Sequence, residues 1–309
     1  IRGSLPASLF AAGGLLAGCL AAGAAGPVAE LDELVVTATR TESPASEVPA
    51  SVEVFTAERL RELNVINVDE VFQYVAGVDV QGSGFPGSAV KLNLRGLTPG
   101  FQSKRVLVLI DGRRLNDQYQ GNAEFALIPA DGIKRIEVLR GPASALYGSN
   151  ALGGVINIIT HTGRDHPYTR LFGAGGSYGT CHTRVSHGGA AGDFDYFVSG
   201  SYVSTEGYTD NSDGTDRDWR ARNFLANLGW RLGARSKLRA DFGGYEGAGT
   251  DENSDRAARK NYQALSYETV WSEALDARLM VRAYRDDQHH DYHWKYPGSG
   301  IYDQDTLAA

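Results

Sequence analysis

The residues of this chain that could do chemistry point to recognition more than to catalysis. Glu33-Leu34-Val35-Val36-Thr37-Ala38 is a short β-branched run, with polar and proline-containing sequence behind it from Thr41 to Pro49. Such a segment can stay extended and add as a strand to a partner's sheet edge, where main-chain hydrogen bonds supply the affinity. An ordinary edge strand would read the same way. His289, His290 and His293 could contact a metal or a haem, or sit in a solvent-exposed loop. No Ser/His/Asp or Cys/His constellation stands out. The glycine-rich run 141–154 lacks the G-K-[ST] ending of a phosphate loop, and Val106–Gly112 is not followed by G-x-G-x-x-G. No enzymatic activity is expected.

The bulk composition narrows the setting. The net charge of −7 leaves no electrostatic footprint for nucleic acid. With 38 glycines, 15 tyrosines, one methionine and two cysteines, the chain reads as an exported β protein. Outside the N-terminus no apolar run is long enough for a membrane-spanning helix, which leaves soluble export or a strand-built barrel. Residues 1–24 read as a signal peptide: Arg2 at the start, an Ala/Gly/Leu-rich core from Leu5 to Leu20, and Ala22-Gly23-Ala24 as a small-residue cleavage site. Leu16-Ala17-Gly18-Cys19 also resembles a lipobox. If Cys19 leaves with the signal, Cys181 is unpaired, and no cysteine framework is expected.

Stepping outward from these residues, the chain divides by texture. Residues 46–165 read as a compact α+β segment. A strand at Ser51–Phe55 leads to a helix that Thr56 can cap, and Asn67 with Glu70 forms the capping signature of a second helix to Tyr74. Strands are expected at Lys91–Arg95, Val106–Ile110, Ile133–Leu139 and Val155–Thr160. From about Tyr168 helix signals vanish. In Phe224–Leu232 the even positions are apolar, and Leu238, Ala240 and Phe242 alternate with Lys237, Arg239 and Asp241. Charges such as Arg239 and Asp241 would be unfavourable in a sandwich core but suit a barrel lumen. Tyr168, Tyr178, Trp219, Trp230 and Trp271 fit interfacial girdles. Residues 166–309 hold about seven or eight strands at ~10 residues each plus turns.

Dense motifs then carry a resemblance. Asn93-Leu94-Arg95-Gly96 is followed by Val106-Leu107-Val108-Leu109-Ile110-Asp111-Gly112-Arg113-Arg114 and by Ile136-Glu137-Val138-Leu139-Arg140-Gly141-Pro142. Next come Ala145-Leu146-Tyr147-Gly148-Ser149-Asn150-Ala151-Leu152-Gly153-Gly154 and Val155–Thr160. In this order they resemble the plug domain of TonB-dependent outer-membrane receptors, and Asp32–Ala38 resembles the TonB box. The fold implied is an α+β plug followed by antiparallel transmembrane β-barrel strands, an incomplete barrel that is the N-terminal portion of a 22-stranded type. The expected organisation is a signal peptide (1–24), a TonB box and linker (25–45), the plug (46–165) and the first barrel strands (166–309).

The resemblance also implies roles. Glu33, Leu34, Val35, Val36, Thr37 and Ala38 would bind TonB and, through it, the inner-membrane energising complex. Phe85, Phe101, Gln102, Asn116, Gln118, Tyr119 and Gln120 in the plug loops would meet ligand; this neutral, aromatic and amide-rich set suits a bulky metal chelate. Arg95 and Arg140 would pack plug against barrel by pairing with wall carboxylates. Asp210, Asp213 and Asp216, with Asp218, resemble a Ca2+-binding loop of cobalamin receptors or form a solvated acidic turn; no other cofactor is expected. The implied function is uptake of a scarce chelate by a monomer in outer-membrane lipid, with a ferric siderophore first, then cobalamin or haem. Receptors that also signal carry a further domain ahead of the TonB box. Only a few mature residues precede Glu33, so transport is expected ahead of signalling.

Overall fold

A computed structural model of the chain describes Val35–Val36, Ser43–Pro44 and residues 51–308, apart from 64, 66, 82–89, 95–104, 117–120, 124, 126–127, 149, 208–217, 252–253, 273–276 and 295–301. The expected signal segment and Cys19 lie outside the described residues. Strand β1 (Val35–Val36) pairs antiparallel with β2 (Ser43–Pro44), Val35 opposite Pro44 and Val36 opposite Ser43.

The plug segment opens with β3 (Ser51–Thr56) and α1 (Ala57–Glu62), whose cap is as read: the Thr56 hydroxyl accepts the Arg59 N–H at 3.4 Å. The segment Val68–Tyr74 begins with the expected Asn67/Glu70 box, Glu70 Oε1 accepting the Asn67 N–H at 3.2 Å. It winds as a tight 3-10 helix, however. Its Val-Asp-Glu-Val-Phe sequence is rich in β-branched and aromatic residues that give an α-helix little intrinsic support. Then follow β4 (Val78–Gln81), which the sequence reading missed, β5 (Lys91–Leu94), β6 (Val106–Ile110), β7 (Arg113–Arg114), β8 (Ile133–Arg140), α2 (Ser144–Tyr147) and β9 (Gly154–Thr160). The strand order of the main sheet is β3-β8-β9-β6-β7, with β6 and β9 parallel and the other pairs antiparallel. β4 and β5 form a separate ladder.

Every residue of β6 is buried, as a strand covered on both faces must be. Val106, Val108 and Ile110 enter a core with Phe72, Phe125, Ile136, Ile156 and Ile158. Leu107 and Leu109 point the other way, onto Leu139, Ala143, Ala151 and Val155. The glycine-rich stretch that ends at Gly154 therefore closes a second face of the plug. At Gly154 itself φ is +157°, and an added Cβ would lie 2.3 Å from the Leu139 carbonyl oxygen, so only glycine fits.

The second part is an antiparallel sheet in which each strand pairs with the next: β10 (Thr169–Gly175), β11 (Cys181–Ala191), β12 (Phe194–Thr205), β13 (Trp219–Arg231), β14 (Ser236–Asp251), β15 (Ser254–Ser272), β16 (Ala277–Trp294) and β17 (Tyr302–Ala308). One face carries Val198, Phe224, Leu228, Trp230, Phe242, Leu265 and Val281, all exposed. The opposite face carries Asp195, Ser199, Asn227, Asp241, Lys260 and Ser266, all buried. This inverted pattern, apolar outward and polar inward, is that of a membrane barrel wall. Trp219 departs from the expected girdle: it is 4% exposed and packs inward with Leu225, Tyr245 and Tyr262 against the plug core, whereas Trp230 and Trp271 are exposed. His289, His290 and His293 lie within β16, not in a loop. Cys181 is free and exposed. Among the described residues no helix is long and apolar enough to cross a membrane.

Candidate functional site

Where the plug meets the wall, polar contacts converge on one turn. Asp111-Gly112 joins β6 to β7, with φ of +47° and +76°, the paired left-handed geometry of a two-residue hairpin. The Asp111 carboxylate accepts from the Thr160 N–H (3.0 Å) and hydroxyl (2.7 Å) at the end of β9. It also accepts from Arg239 of β14 at 2.9 Å. The same guanidinium reaches the Thr160 hydroxyl at 2.8 Å and Asp241 at 2.5 Å. Next to it, Arg113 pairs with Asp286 of β16 and lies 4.1 Å over the Tyr262 ring. Gly112 suits this turn because its φ is left-handed; the nearest atom to an added Cβ is the mobile guanidinium tip of Arg282 of the wall, at 2.6 Å.

Further contacts tie the plug to the wall. Asn227 of β13 donates to the Thr160 hydroxyl (2.8 Å) and to the His161 carbonyl (2.7 Å). Asp195 of β12 accepts the Gly163 N–H at 3.1 Å and lies 3.4 Å from Arg164. Asp131 faces Arg184 of β11 at 3.4 Å and Arg170 of β10 at 3.7 Å. His161 and His166 pack with ring centroids 5.0 Å apart, both against Phe197. Burial, reinforced by the neighbouring His166, pushes the His161 imidazole down to about 4, and burial lowers His166 as well. Both rings are therefore neutral near pH 7. Together with the chain that runs on from β9 to β10, these contacts fix the plug against the wall. They are ion pairs and hydrogen bonds whose net gain is modest when intact but which leave uncompensated charge when one partner is removed.

The structure sorts the expected site residues. Arg140 is expected to pair with wall carboxylates; the partners described for it belong to the plug: the Ala76 carbonyl (2.8 Å), the Ser51 hydroxyl (2.9 Å) and Glu53 (3.6 Å). Among the described residues, Arg113 of the plug does pair with a wall carboxylate, Asp286. Asn116 is not placed to meet ligand. It is buried, accepts the Val108 N–H at 2.7 Å, and donates to the Val106 (3.1 Å) and Gly121 (2.8 Å) carbonyls, so its amide is consumed in holding the loop. Phe85, Arg95, Phe101, Gln102, Gln118, Tyr119 and Gln120 lie outside the described residues, as do Asp210, Asp213 and Asp216. Of the strand-adding peptide, Val35 and Val36 are described, already paired with Ser43–Pro44; Glu33, Leu34, Thr37 and Ala38 are not. Sequence reasoning missed Asp111, Thr160 and Asn227 as anchors. Its one usable signal was the charge at Arg239 and Asp241 on the inner face.

A mixed α+β body held by ion pairs against the polar face of an apolar-out β wall defines a plugged outer-membrane receptor. The comparisons agree. Residues 44–155 match the family model described as the TonB-dependent Receptor Plug Domain. The chain is 30% identical over 287 residues to the vitamin B12 transporter BtuB of Photobacterium profundum, covering 90% of this chain and 46% of that protein. It thus spans about half the length of the curated relative it matches. In fold it is similar to the siderophore receptor PirA of Pseudomonas aeruginosa, with TM-score 0.59, 22% identity, and coverage of 80% of this chain and 42% of that one. The ferric yersiniabactin uptake receptor FyuA of Yersinia pestis gives TM-score 0.66, 17% identity, and coverage of 82% and 43%. The chain belongs to the TonB-dependent receptors, which places it in the bacterial outer membrane.

Proposed function

We propose that this chain is the plug and part of the wall of a receptor that takes up a scarce metal chelate through the outer membrane, driven by TonB. The observation that carries the reading is the seat of the plug: a body whose core meets Phe197, Trp219 and Leu225 of the wall and which is tied to it by breakable polar contacts around Asp111, Arg239 and Thr160. Val35–Val36 supports the coupling step. Its short ladder with Ser43–Pro44 can be exchanged for a partner strand at little cost, since local opening of so small a unit needs little free energy. Force on that strand would act on the plug.

Two ligand classes stay inside this reading. Identity to a vitamin B12 transporter supports a corrinoid. The siderophore receptors share the fold at under a quarter identity, and a ferric siderophore is the alternative. The test is uptake of labelled cobalamin, ferric siderophore and haem by cells carrying the full-length gene, with and without TonB. Saturable uptake of one of them that vanishes without TonB supports the reading. Uptake indifferent to TonB, or uptake left intact by Val36→Pro, which removes a ladder donor, contradicts it.

A further inference from the structure

The outward face of the wall changes character along its strands. Phe224, Leu228 and Trp230 of β13, Phe242 of β14 and Leu265 of β15 form the apolar band. Beyond it, on the same face, stand Arg220 and Arg222 of β13, Glu246 of β14 and Arg259 of β15. Arg222 is two residues from Phe224, about 7 Å along the strand. The register sets Arg222 opposite Glu246 and Glu246 opposite Arg259. One carboxylate serves both guanidiniums, at 2.9 Å from Arg222 Nε and 3.1 Å from Arg259. The arginine side chains are 72% and 65% exposed. Next along the belt, Arg285 of β16 is 75% exposed, paired with Asp287.

This belt lies at the end of the wall that carries the long connection 206–218. At the other end the turns are short, such as Gly192-Asp193 and Leu232–Arg235. Long connections mark the outer side of such walls. The belt therefore sits at head-group level of the outer leaflet. A guanidinium fork matches phosphate oxygens two at a time, and a basic cluster just beyond an apolar band is where anionic head groups are held. We propose that Arg220, Arg222 and Arg259 form a binding site for the phosphate groups of the phosphorylated glycolipid in the outer leaflet, with Glu246 holding the two paired arginines in place and weakening the site. This inference rests on the outer-membrane location and not on the transport reading.

The test uses the chain extracted from native outer membranes into mild detergent, with phosphorus and glycolipid fatty acid measured per chain. Arg222→Gln/Arg259→Gln should lower retained glycolipid about tenfold, Glu246→Gln should raise it, and Lys237→Gln at the opposite end of β14 should leave it unchanged. Far-UV β signal and melting temperature report that each variant is folded. Equal retention in all variants, or a loss in Glu246→Gln matching that of the double variant, would overturn the proposal. So would retained phosphorus without fatty acid, washed out in phosphate-free buffer, which would mean free phosphate only.

Discussion

Plug and wall are both built largely from strands, yet they solve opposite solvation problems. In the plug, β6 buries all five residues and β9 nearly all of its own, because apolar cores lie on both faces. In the wall, β13 and β14 put Phe224, Leu228 and Phe242 outward and Asn227, Asp241 and Tyr245 inward. The plug folds as a water-soluble body does, and the wall folds as its inverse. The surface between them is mixed: Phe197, Trp219, Leu225, Tyr245 and Tyr262 of the wall join the plug's own core, while Arg239, Asn227 and Asp286 supply polar ties. A wholly apolar boundary would merge the two bodies into one core, whereas the polar ties can be exchanged for water.

The contrast can be broken at graded cost. The largest effect is expected from Phe72→Ala. This side chain is fully buried with its ring 5.0 Å from that of Phe125, and its loss should cost the plug about 4 kcal/mol. Denaturant titration and protease digestion should show the plug loosened and the wall intact. Arg239→Ala should cost about 3 kcal/mol, because Asp111 and Asp241 would be left without their counter-charge. Arg239→Lys should recover only part of that, lacking the fork that spans both carboxylates and Thr160. Leu265→Arg on the lipid face should cost about 2 kcal/mol in refolding into bilayers and leave plug protease resistance unchanged.

A further effect is one of pH. With its folded pKa lowered to about 4, His161 favours the folded junction fully above about pH 6.5, where the unfolded imidazole is neutral. That contribution is lost as pH falls from 6.5 through 4. Asp69, raised to about 6 by burial, acts in the opposite sense: the folded plug takes up its proton first and gains stability as pH falls below 6. His161→Gln should thus flatten the acid-side loss of stability and leave the Asp69 gain visible in melting curves between pH 7 and 4.

Much of this was legible in the sequence where the signal is local. The continuous apolar run of β6, the Thr56 cap and the alternation of β13 and β14 all follow from neighbours along the chain. What was not legible depends on partners far apart. Arg239 and Asp111 are separated by 128 positions, and nothing near either residue names the other. Trp219 reads as a girdle residue from its place at a strand end, but the inward parity of β13 and the plug core behind it decide otherwise. Asn116 reads as a loop amide open to ligand, yet a turn that folds back on β6 needs a side chain to satisfy its backbone, and that need prevails. Arg140 finds its carboxylate at Glu53 because β8 lies beside β3.

The most direct test of the claim that polar ties seat the plug is a double-mutant cycle on Asp111→Asn and Arg239→Gln, read by the denaturant concentration that exposes the plug to protease. The account predicts a coupling of about 1.5 kcal/mol or more, each single change costing nearly as much as both together. Additive costs, with coupling near zero, would show that the apolar contacts alone hold the plug and would contradict it.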